Sequence, residues 1–236
     1  MPEWKAKRFW KSTAVTEDRD GYGIALDHRP VRTPNKNHLI VPTWAMAQAI
    51  AAEWDAQGED IDPLSMPVTR GANSAIEKVA SQREAVVLGL AEYGDSDLLC
   101  YRAAGPEGLV AQQRATWDPL LDWAATALKA PLVSAEGVMH VSQPTESLDR
   151  LQRRVAELTN FEIAGFHDLV ALSGSLVMAL AVIDAHLEPE CAWDISRIDE
   201  DWQIAQWGED DEASVMAERK KEAFIAGAAF VSLARA

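Results

Sequence analysis

The residues of this chain best able to do chemistry are its carboxylates. Asp199-Glu200-Asp201 puts three acids in a row, and Glu209-Asp210-Asp211-Glu212 follows shortly after. Neighbouring carboxylates can share a proton for acid–base work or hold a hard cation such as calcium. Neither use is completed in sequence. No base, nucleophile or electrophile accompanies the first cluster, and the second is better explained as negative charge at a helix start, where the helix dipole favours it. Asp18-Arg19-Asp20-Gly21 resembles a calcium loop, but its Gly comes too early and no bidentate Glu closes it. Ser173-Gly174-Ser175 lies in an apolar stretch and is expected inside a helix, where small residues allow close packing. His28, His38, His140, His167 and His186 show no metal-ligand spacing. Dinucleotide, P-loop, HExxH and GxSxG signatures are all missing. The expectation is therefore a non-enzyme with no catalytic residue, no cofactor and no metal.

Charge says more than motifs do. Lys plus Arg number 22 and Asp plus Glu 37, a net charge of −15. Such a body repels phosphate backbones and anionic lipid, so nucleic acid and membrane insertion are not expected. The distribution is uneven: Met1–Ile40 carries eight basic and five acidic residues, whereas Asp184–Glu212 carries eleven acids against Arg197 alone, a net of −10. That stretch is either a solvated helix face or a docking surface that raises on-rate and specificity for a basic partner. Nine Trp against five Phe and three Tyr is a further anomaly. Trp4, Trp10 and Trp207 look the least like core, and amphipathic aromatics are enriched at interfaces. Cys100 and Cys191 stand alone, as expected of two free thiols in a reducing cytosol. Residues 1–5 show no apolar run of the kind a signal peptide needs. Leu169–Leu187 contains Asp184 and His186 and is too short for the ~20 residues of a membrane span, so it reads as a buried helix.

The elements that must position these residues fall into two kinds. Through residue 42 the chain reads as short strands: Lys7–Val15, Tyr22–Leu26, Val31–Thr33 and His38–Val41, punctuated by Gly and Pro. From Trp44 the period becomes helical. Helices are expected at Trp44–Gln57, from a capping box at Ser81-Gln82-Arg83-Glu84, and at Leu109–Leu128, where Asp118-Pro119 marks either a cap or a kink. Further helices are expected at Pro144–Leu158, Leu169–Leu187 and Pro189–Trp207, and from Ala213 to Leu233, with strand-like Gly137–Val141 interrupting them. The Pro189–Trp207 stripe would bury Cys191, Ile195, Ile198, Trp202 and Ala205. The fold class is α+β, with a β-rich domain and trailing helix over residues 1–64 and a helical domain over 65–236.

Several segments together carry a family resemblance. They are Lys7-Arg8-Phe9-Trp10-Lys11, Tyr22 to Pro34, Ala51-Ala52-Glu53-Trp54, Met66-Pro67-Val68-Thr69, Tyr93 to Asp97, Tyr101-Arg102, Trp117 to Leu121, Gly174-Ser175, and Gln203 to Gly208. In this order the chain resembles the assembly chaperones of F-type ATP synthase that act on the α subunit of its soluble head. The resemblance implies a chaperone that binds unassembled α subunit and prevents its aggregation until β replaces it, in the cytoplasm of a bacterium. It also implies a β domain followed by a helical domain, and partner binding by an acidic stretch before a Trp-Gly pair. Here those residues are Asp199, Glu200, Asp201, Gln203 and Trp207; which of the three acids inherits the role stays open. Two other functions remain: an acidic module for another basic partner, and a hydrolase using the carboxylates near Glu200.

Overall fold

The computed structural model describes residues 7–236. The chain divides into two compact units. The first runs to Arg83 and recruits Asn160–Gly165 and Ala229–Ala236; the second comprises Glu84–Thr159 and Phe166–Ala228. The first unit thus extends past residue 64 and is completed by two later segments.

In the first unit, β1 (Thr13–Asp18) and β2 (Gly21–Leu26) form a hairpin whose two-residue turn is Arg19-Asp20. β2 is the centre of the sheet, antiparallel to β1, to β3 (Arg29–Pro30) and to β4 (Ile40–Val41). Gly21 has φ +147°, and a Cβ there would lie 2.3 Å from the Val41 carbonyl oxygen, so only Gly lets β4 approach. Ile24, Leu26, Val31, Leu39 and Val41 pack with Met46, Ala47 and Ile50 of α1 (Trp44–Asp55). The first strand begins later than the Lys7–Val15 reading, because Trp10 is drawn into this core at 3 % exposure, edge-on to Trp54. Trp10 is a core residue, not an interface one. Thr43 caps α1 by accepting from the Met46 amide, and its hydroxyl donates to the Leu233 carbonyl. The Glu53 carboxylate accepts from the Val68 and Thr69 amides, capping α2 (Pro67–Ser74). A π-helical turn, Ala75–Val79, follows.

The second unit is built on α7 (Leu176–Ile183), every residue of which is buried. α3 (Arg83–Ala91) starts where the capping box placed it, but Ser81 donates back to the Glu77 and Lys78 carbonyls instead of capping forward. α4 (Glu107–Ala127) runs unbroken through Pro119 and packs on α7 with Trp117, Leu120 and Ala124 buried. α5 (Thr145–Ala156) lies in this unit, while α6 (Asn160–Ser173) and α10 (Asp211–Arg235) each give residues to both. Three expectations are corrected. Gly137–Val141 is not a strand; β6 (Ala135–Glu136) instead pairs parallel with β5 (Tyr101–Arg102). The apolar stretch is not one helix, because Gly174 at φ +70° ends α6 and the Ser175 hydroxyl accepts from the Met178 amide to start α7. Pro189–Trp207 is likewise two helices, α8 (Pro189–Ser196) and α9 (Ile198–Trp207), broken at Arg197.

Candidate functional site

α9 is held against α4 by two contacts of different kinds, and Ile198 is buried at its first position. Trp202 lies on Gly108 so closely that a Cβ there would meet its ring at 2.7 Å. Asp199 accepts a 2.6 Å hydrogen bond from the Gln113 side-chain amide. Gln113 is itself buried, and its side-chain Oε1 accepts from the Ala103 amide at 2.9 Å. Arg102 locks the same corner: it donates to the Leu99 and Gln113 carbonyls, pairs with Asp118 at 2.8 Å and lies over the Trp117 ring. Trp117 donates its indole N–H to Ile195 at the end of α8. A polar network thus fixes the α8–α9 corner on α4.

That network separates the three acids. Asp199 is spent on Gln113. Glu200 and Asp201 face solvent, paired among the described residues with Arg197 alone, at 3.9 and 3.8 Å, and Arg197 is partly engaged by stacking on Trp193. Asp194 pairs with Lys221 at 3.6 Å. Glu200, Gln203, Ile204 and Trp207 follow at three, four and seven residues, so they share one stripe of the helix.

The stripe expected to be buried is mostly not. Ile198 is buried and Ile195 and Trp202 are half-buried, but Cys191 and Ala205 are exposed, because no element covers the second half of α9 within its unit. Trp207 is 81 % exposed, and Ile204, Val215 and Met216 are exposed as well. Gly208 at φ +92° ends α9, and Asp210 accepts from the Ala213 amide to start α10, so Glu209–Glu212 does mark a helix start. Exposed apolar side chains on α9 and early in α10 thus stand near Glu200, Asp201 and Glu209–Glu212 in sequence. Sequence reasoning named Trp207 but missed Ile204, Val215, Met216 and the tether Gln113. The signal for Gln113 was available: it stands four residues before Trp117, a polar side chain on an otherwise apolar stripe.

Elsewhere in this unit Asp97 is fully buried. Burial pushes its carboxyl up to about 6, opposed by the Val177 and Leu99 amides and the Ser175 hydroxyl. Burial and Asp97 together raise the neighbouring Cys100 thiol to about 12. Among the described residues, no three His, Cys, Asp or Glu side chains converge as a metal site, and no helix is long and apolar enough to cross a membrane.

The profile of the family described as ATP12 chaperone protein matches residues 7–125. This chain belongs to that family. It is 22% identical to the mitochondrial protein atp12 of Schizosaccharomyces pombe over 244 residues, 98% of this chain and 84% of that protein. The crystal structure of Atp12 from Paracoccus denitrificans is similar at TM-score 0.95 and 49% identity, over 98% of this chain and 100% of that one. A mutant of the Paracoccus protein in which an aspartate is replaced by lysine also matches at TM-score 0.95, with 48% identity over 98% of this chain and 99% of that one. The profile match ends within α4, whereas the similarity to the Paracoccus structure spans nearly the whole chain, α9 included.

Proposed function

We propose that this chain is an assembly chaperone for F-type ATP synthase that binds the unassembled α subunit and keeps it from aggregating until β takes its place. Family membership supports the chaperone role, and the resemblance of the chain's segments supports the partner. The observation that carries the reading is Trp207: an indole left 81 % exposed on the same helix face as Glu200, amid a stretch of net charge −10. Aromatic anchors are enriched at the centres of interfaces, and charge complementary to the partner around them adds steering. Glu200, Asp201, Gln203 and Trp207 make the contact; Asp199 supports it from behind. The role requires no catalysis and no cofactor, and the bacterial cytoplasm is where it would be performed.

The test is suppression of α-subunit aggregation, followed by light scattering. Glu200→Lys should lose protection while its unfolding free energy stays within ~0.5 kcal/mol of wild type, as for surface substitutions generally. Protection equal to wild type would refute the reading, and so would loss of protection accompanied by unfolding.

A further inference from the structure

We propose that the end of the sheet bearing Phe9, Lys11 and Arg29 is a second docking face, which binds an acidic protein segment through an apolar side chain flanked by carboxylates. Phe9 is 60 % exposed, yet it is not loose. Its ring stands edge-on to the buried Trp10 at 5.2 Å, and the Arg29 guanidinium lies over it at 5.8 Å. An aromatic ring held in place before binding loses little freedom on contact, and aromatic and Arg side chains are those most often found at the energetic centre of interfaces.

The charge beside Phe9 is unspent. Lys7 and Arg8 pair with Glu59 and Asp55, but among the described residues Lys11 and Arg29 have no carboxylate at ion-pair distance. Both are exposed. The carboxylate next to them, Asp27, accepts from the Lys11 and Ser12 amides and from the Ser12 hydroxyl; these bonds hold it ionised and facing the turn. A chain of net charge −15 repels acidic partners over most of its surface, so two unpaired cations beside a fixed ring select for one here. The apolar requirement and the overall charge both disfavour a nucleic acid. The inference is independent of the role assigned to α9.

Fluorescence anisotropy with the full chain tests it. The probes are a short labelled peptide with a Leu-Phe pair flanked by glutamates, an oligoglutamate of equal charge, and a single-stranded oligonucleotide. Phe9→Ser should weaken the Leu-Phe peptide about tenfold, the scale of an anchor residue, and leave oligoglutamate unchanged. Arg29→Glu and the independent Lys11→Glu should weaken both peptides. Equal binding of the Leu-Phe peptide by Phe9→Ser and wild type would overturn the proposal, as would tighter binding of the oligonucleotide than of either peptide. Sedimentation supplies the last arm: self-association that Arg29→Glu abolishes and the peptide does not displace would give the face to a second copy, and would also overturn it.

Discussion

Replacing Gln113 with Met tests whether Asp199 is structural while its neighbour Glu200 is not. Met fills a similar volume and removes both polar functions. Gln113 is 1 % exposed, so water cannot stand in for what is lost. The bond to Asp199 is short, at 2.6 Å, and has a charged acceptor; such bonds contribute about 1.5–3 kcal/mol net. The bond from the Ala103 amide adds about 0.5–1.5 kcal/mol. Asp199 is half-buried and can turn toward solvent, which recovers part of the cost. The expected loss is about 2–4 kcal/mol, read by urea unfolding with an unchanged slope. Because the tether lies at the first turn of α9, amide hydrogen exchange over Ile198–Gln203 should accelerate more than exchange over α7, whose residues are all buried. A loss below about 0.5 kcal/mol, or unaltered protection across α9, would refute the assignment of Asp199 to the scaffold.

Two further outcomes follow from the buried groups. Asp97 titrates at about 6 in the folded chain against 3.8 ordinarily, so between those values the folded state binds more protons than the unfolded one and stability falls as pH rises. Relative to an Asp97→Asn variant, wild type should lose stability between pH ~4 and ~6, and a flat difference in urea midpoints would sink this. Cys191 is exposed and Cys100 is buried with its thiol raised to about 12, so a disulfide exchange reagent should modify Cys191 promptly in the native chain and reach Cys100 only in denaturant. Prompt native labelling of Cys100 would contradict the packing around it.

Local signals in the sequence served well where the physics is local. The helix expected as far as Trp207 does end there, at Gly208, and the acids expected to start a helix do begin α10, because dihedral freedom and capping are decided within a few residues. The α+β class was legible for the same reason, since the change from strand punctuation to helical period falls at Trp44. What escaped depended on distant partners. Asp199 and Glu200 are equivalent in sequence and opposite in surroundings, one bonded to Gln113, 86 residues away, and the other facing solvent. The buried stripe drawn through Ala205 assumed a covering surface, and periodicity carries no information on whether one exists. Trp10 was underrated because its burial comes from Trp54 and α1 rather than from any pattern near it.

The hydrogen bond from Thr43 to the Leu233 carbonyl has a consequence for how such a molecule is made. The two residues are 190 positions apart, and Phe230, in the same late segment, belongs to the core that holds Ile24, Met46 and Ile50. At about 5–20 residues per second, the sheet and α1 leave the ribosome roughly 10–40 s before the residues that close them are synthesised. Through that interval Thr43 at the start of α1 and the Gly71 face of α2, which Leu233 and Phe230 finally meet, stand open. A member of a chaperone family is therefore itself, for most of its synthesis, a nascent chain with an unfinished surface of its own.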